Sequence, residues 1–183
     1  MWIWRDKVYL RPDFFLLLLA LPSQGARFLL FVLACAAHEL GHLLCLRVFS
    51  APVKLIRLTA FGAEIHAPLL CLSYQQELLT ALAGPASNLL LAFLAAGCRE
   101  GYLFAGMNLL LALMNLLPIS GLDGGRVLEI LLCWCWDPVR GAALSRVLGK
   151  ILPLLFLGAA LCLCWRSGGN FFLLLAALGL FFV

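Results

Sequence analysis

Long apolar runs separated by short polar intervals dominate the chain. Five of them, Phe28–Leu46, Leu78–Gly97, Tyr102–Ile119, Ile151–Trp165 and Phe171–Val183, read as membrane-spanning helices, since about 20 apolar residues cross about 30 Å of hydrocarbon. A sixth run, Phe14–Pro22, is apolar but short. Nine helical residues rise only about 14 Å, so this segment either begins earlier, near Val8, or lies tilted or re-entrant. Val127–Trp136 is also too short to cross and is expected to rest as a helix against the cytoplasmic face. One stretch breaks the helical pattern: Val53–His66 mixes β-branched, aromatic and charged residues around Gly62, between Pro52 and Pro68. It is expected to form a small cytoplasmic β-hairpin after the second span. The pattern therefore predicts an all-α polytopic membrane protein of about six transmembrane helices.

Composition sharpens this picture. Of 183 residues, 64% are hydrophobic and 12% charged, against about 25% charged in a soluble domain. A soluble protein, a disordered chain and a nucleic-acid module are all excluded, because each needs more polar or basic surface. The 13 Lys and Arg residues set the orientation. With six spans and the N-terminus inside, all of them except Arg27, Arg99 and Arg166 fall on the cytoplasmic side, as short loops require. Both termini are then cytoplasmic, in a multi-pass protein of the cell membrane. The net charge of +4 reflects this topology and attraction to anionic lipid. No cleavable signal peptide is expected, because the first apolar run is short and further membrane segments follow. The eight cysteines form no C-x-x-C pair. They read as small apolar filler, without disulfides.

The candidate chemistry starts at Ala37-His38-Glu39-Leu40-Gly41-His42. Histidines four apart on a helix differ by about 40° in azimuth and rise one turn, so both rings can reach one zinc. The intervening Glu39 can approach a water at that metal, as in the HExxH pattern. Charge within a membrane span costs at least about 2.5 kcal/mol and points to function. Catalytic zinc wants a third protein ligand, with Asp123, His66, Glu64, Glu77, Glu129 and Asp137 as candidates. Asp123 is the best of these. It lies in Asn115-Leu-Leu-Pro118-Ile-Ser-Gly121-Leu-Asp123-Gly124-Gly125, where Pro118 and Gly121 end a span and paired glycines let the backbone fold closely. His66 and Glu64 belong to the hairpin, Glu77 reads as a headgroup-level charge, Asp137 as the helix cap before Pro138, and Glu129 as a partner of Arg126.

Together these motifs resemble the site-2 protease family of intramembrane zinc metalloproteases (peptidase family M50), whose marks are HExxH on one span and N-x-x-P-x-x-x-L-D-G on a later one. A third match is Ala83-Gly84-Pro85-Ala86-Ser87-Asn88, similar to the family's A-G-P-x-x-N. The motifs cover about 28–126, and the chain is most similar to the branch containing stage IV sporulation protein FB. It is expected to be one transmembrane domain over 1–183, with C-terminal helices from 127 and without the PDZ or CBS domain of other members. The resemblance implies one zinc per chain held by His38, His42 and Asp123, with Glu39 as general base. It also implies Asn88 and Asn115 as donors to the substrate backbone or the oxyanion, where a plain reading makes them interhelical hydrogen-bonding residues. The implied partners are a membrane-embedded protein substrate, the lipid bilayer and a regulatory membrane protein. A catalytically inactive scaffold would be expected to have lost one of His38, Glu39, His42 or Asp123. A zinc transporter should show a second polar site or inverted repeats, and neither is present in the sequence.

Overall fold

The computed structural model describes residues 7–10, 12–53, 55–59, 62–66 and 72–166. The expected last span, Phe171–Val183, and residues 54 and 60–61 of the expected hairpin lie outside them. The chain divides into two compact units, Met1–Leu113 and Met114–Val183.

In the first unit, strand β1 (Lys7–Leu10) precedes helix α1 (Pro12–Val48). Proline suits a first helical position because the amide it lacks has no helical partner there. Val8 is therefore in a strand, and the helix holding the short apolar run does not begin with it. Gly25, at φ 52° and ψ −132°, interrupts α1. Glycine adopts this left-handed backbone without the Cβ penalty. The portion from Gly25 to Val48 is long and apolar enough to cross a membrane. Strands β2 (Leu55–Thr59) and β3 (Gly62–His66) pair antiparallel, with Leu55 opposite His66 and Thr59 opposite Gly62. Strand β1 lies parallel to β2, giving the order β1-β2-β3.

Helix α2 (Tyr74–Ala95) starts on a capping box. Ser73 Oγ accepts from Gln76 N at 3.3 Å, and Gln76 Oε1 accepts from Ser73 N at 3.0 Å, satisfying amides that a helix start otherwise leaves bare. This helix is the second that is long and apolar enough to cross. It packs closely on α1 because Gly41 has no side chain: a Cβ there would lie 2.6 Å from the Ala83 carbonyl oxygen and 2.9 Å from Ser87 Oγ. Ser87 Oγ, in turn, donates to the carbonyl of Ala37 at 3.0 Å. Helix α3 (Tyr102–Asn115) has 14 residues, or about 21 Å. The expected span over Tyr102–Ile119 thus stops being helical at Asn115, three residues before Pro118, because the residue before a proline disfavours helical backbone.

In the second unit, the turn after Asn115 carries Gly121 at φ 94° and leads into helix α4 (Asp123–Cys135). Helix α5 (Pro138–Arg166) then runs unbroken, and its Pro138–Cys162 portion is the third candidate span. The apolar run Ile151–Trp165 is therefore only the later half of a helix that also carries Arg140, Arg146 and Lys150. Between α4 and α5, Asp137 Oδ2 accepts from Val139 N and Arg140 N, both at 3.2 Å. That is the cap expected before Pro138. Gly141 allows the two helices to meet, since a Cβ there would lie 2.6 Å from Cys133 N. Arg126 and Glu129 pair at 3.4 Å on α4.

Candidate metal centre

His38 and His42 lie one turn apart on α1, with ring centroids 4.8 Å apart and planes at 79°. Their Nε2 atoms face each other at 3.2 Å. The other nitrogen of each ring is committed elsewhere. His42 Nδ1 is 2.8 Å from the backbone carbonyl oxygen of Thr80 on α2. A carbonyl can only accept, so this nitrogen carries the ring hydrogen and Nε2 keeps a lone pair.

At His38 the same result follows through an amide. Its Nδ1 lies 2.6 Å from Asn88 Oδ1. The Asn88 amide is oriented by two acceptors on its nitrogen side: Nδ2 donates to the carbonyl of Ala34 at 3.0 Å and to Asn108 Oδ1 at 2.7 Å. Its oxygen must therefore face His38, and an amide oxygen accepts only. His38 also bears its hydrogen on Nδ1. Both Nε2 lone pairs then face one space, where a cation between them is stabilised by both. Neutral imidazole with Nδ1–H held by an acceptor is the usual state of a metal-binding histidine.

Gly84 forms the wall of that space. A Cβ on it would overlap His42 Nε2 and come within 2.8 Å of His38 Nε2. Pro85 follows it inside α2, and its missing amide leaves the Ala81 carbonyl without its helical donor, which favours a kink at this point. The donor chemistry and the glycine cradle both fit a zinc ion. Glu39, directly after His38, is half-buried.

Asn88 is fully buried, with both its amide hydrogens taken by Ala34 and Asn108 and its oxygen on His38, which are the interhelical bonds of its plain reading. Asn108, which sequence reasoning passed over, is fully buried beside it. The signal was available, because Asn108 interrupts the apolar run from Leu103 to Leu113, and amides inside a membrane segment are seldom incidental. Thr80 contributes through its backbone carbonyl, a role that residue type does not encode.

Asn115 and Asp123 belong to the second unit. Asn115 is the last residue of α3 and half-buried. Asp123 is the first residue of α4. It is presented there by a turn that folds tightly on itself: a Cβ on Gly124 would overlap the Leu116 carbonyl oxygen, and one on Gly125 would overlap that of Ile119. His66 and Glu64 are in β3, paired with Leu55 and Arg57. Asp137 and Glu129 are engaged in the cap and ion pair described above.

Comparison with known proteins gives a consistent set of likenesses. The family described as Peptidase family M50 matches residues 100–156. Over 149 residues the chain is 31% identical to a zinc metalloprotease named Rip3 of Mycobacterium tuberculosis (strain H37Rv), a match covering 68% of this chain and 36% of that protein. Stage IV sporulation protein FB of Bacillus subtilis (strain 168) is also 31% identical over 149 residues, covering 70% of this chain and 49% of that one. The chain thus spans half or less of the length of these relatives. Its fold is similar to the solved site-2 protease from Methanocaldococcus jannaschii, with a TM-score of 0.72 over 100% of this chain and 90% of that one, at 22% identity.

Proposed function

Since the chain belongs to peptidase family M50, the family of the site-2 proteases, we propose that it is an intramembrane zinc metalloprotease that hydrolyses peptide bonds of membrane-embedded proteins. The observation that carries this reading is the pair of Nε2 atoms at 3.2 Å, turned toward each other in front of Gly84. A cation suits such a pair, since both nitrogens can donate a lone pair to it.

His38 and His42 would hold the zinc through Nε2. Asp123 is assigned as the third ligand on its place in the N-x-x-P-x-x-x-L-D-G motif and on the turn that presents it. Zinc, when bound, supplies a Lewis acid that acidifies water and polarises the scissile carbonyl. Glu39 is the general base: its carboxylate takes the proton from the attacking water and returns it to the leaving amine. With Asn88 committed to His38, Asn115 is the remaining amide for the substrate backbone or the oxyanion. A helical substrate must unwind to expose its peptide bonds, and an edge of the β1-β2-β3 sheet would receive it as an added strand. The sheet is placed on the cytoplasmic side, with six spans and both termini cytoplasmic, on the distribution of Lys and Arg.

The test is cleavage of a reconstituted single-span substrate by purified wild type, Glu39→Gln and Asp123→Ala, with zinc measured in each. Glu39→Gln should retain zinc and lose about 10²–10⁴-fold in turnover. Asp123→Ala should lose zinc and turnover together. Full turnover by Glu39→Gln would remove it as base, and full zinc content in Asp123→Ala would remove it as ligand.

A further inference from the structure

A hydrogen-bonded line of amides crosses the first unit and ends on a metal ligand. Asn108 Nδ2 donates to the carbonyl of Phe104, one turn back on α3, at 2.9 Å. This backbone oxygen can only accept, so it fixes which end of the Asn108 amide faces which way. Oδ1 is left to accept from Asn88 Nδ2 at 2.7 Å. Asn88 then turns its own oxygen to His38 Nδ1 at 2.6 Å. Each step has one allowed direction, because its start is a carbonyl of the helical backbone. From this we infer that Asn108 is a positioning residue: acting through Asn88, it selects the Nδ1–H tautomer of His38 and aims Nε2 at the metal.

Both amides are fully buried, at 0% exposure. A buried amide left without partners is costly, so neither persists in an apolar helix unless its bonds are made. Helix association alone would need a single bond between α2 and α3. Here Asn88 instead makes three bonds, to α1 twice and α3 once. The carbonyl of Ala34 occupies one of its hydrogens, and the second requires an acceptor at position 108. Removing that acceptor strands a donor in apolar surroundings. The Asn88 amide is then oriented by one acceptor, the Ala34 carbonyl, in place of two, and this weaker hold on its oxygen lets the other ring tautomer of His38 gain population.

This inference rests on the metalloprotease reading only for its consequence in catalysis, and its test is read from the histidine. In full-length protein with ¹⁵N-histidine, the metal-free wild type should show His38 with its hydrogen on Nδ1. Asn108→Leu and Asn108→Ala, which remove the acceptor, should populate the Nε2–H form and weaken zinc binding about tenfold in a chelator competition. Asn108→Asp keeps an oxygen acceptor and should restore both the tautomer and the affinity to within about threefold of wild type. Cleavage by the Leu and Ala variants should recover at saturating zinc. Unchanged tautomer and affinity in Leu and Ala would overturn the inference, as would loss of zinc from all three variants alike, which marks a packing role. A wild type that binds zinc with the expected tautomer yet cleaves no substrate would overturn the protease reading and leave the positioning role standing.

Discussion

At the histidine pair, the contacts that matter come from far along the chain: 50 residues separate His38 from Asn88, 38 separate His42 from Thr80, and 54 separate Asn88 from Ala34. Around Asp123 they come from within the same short stretch, where Gly124 and Gly125 press on the carbonyls of Leu116, Leu117 and Ile119. The first region is a network of directed side-chain hydrogen bonds between helices. The second is a turn made of backbone packed on backbone. Polar networks specify direction, since each donor needs an acceptor, whereas a glycine turn specifies only distance. Damage to the first should therefore change metal binding in a folded protein, and damage to the second should change folding.

Two glycine substitutions of equal size separate these cases. Gly84→Ala should have the largest effect on metal. Its methyl group would occupy the space shared by the two Nε2 atoms, and zinc affinity should fall by more than the roughly 100-fold reached by altering a ligand's own hydrogen-bond partner. Circular dichroism and the unfolding midpoint in detergent should stay close to wild type, because alanine suits a helix better than glycine. Wild-type zinc affinity in Gly84→Ala would show that the metal sits elsewhere, and the contrast between the two regions would fail.

Gly124→Ala sharpens the comparison from the other side. Here the new methyl meets the carbonyl oxygens of Leu116 and Leu117, which belong to the chain and cannot swing aside as a side-chain end can. Overpacking of this kind costs about 1–3 kcal/mol, seen as a lower unfolding midpoint in the metal-free protein, where no ligand contribution enters. A variant as stable as wild type would mean that the turn is looser than its backbone contacts imply.

The difference between the regions also explains what could be read from sequence. HExxH was legible because its geometry is local: helical periodicity alone puts His38 and His42 on one face. The Asp123 turn was legible for the same reason, through Pro118, Gly121 and the paired glycines. The direction of the Asn88 amide was not, since it is set by Ala34 on one helix and Asn108 on another, and a motif records neither. Helix ends were misjudged where hydropathy and helix formation part company. Helix α5 starts at Pro138 because Asp137 caps it there and Arg140, Arg146 and Lys150 are good helix formers, although their charge hides the first half of the helix from a hydropathy ruler. Strand β1 went unseen because four residues, Lys7–Leu10, carry no periodicity, and only pairing with β2 makes them a strand.

The smallest effect is expected at that same cap. Asp137 Oδ2 accepts two amides, Val139 N and Arg140 N, at 3.2 Å each, and its backbone carbonyl accepts from Gly141 N at 2.7 Å. Asp137→Ala leaves the carbonyl bond in place and removes only the side-chain cap, together with the favourable interaction of its charge with the helix N-terminus. These amides are exposed, so water replaces part of what is lost. The cost should be about 1 kcal/mol, and Asp137→Asn should recover most of it, since an amide oxygen can take the same two bonds. Zinc affinity and cleavage should match wild type in both variants. A fall in zinc binding with Asp137→Ala at unchanged stability would place this aspartate among the metal ligands and displace the reading of it as a cap.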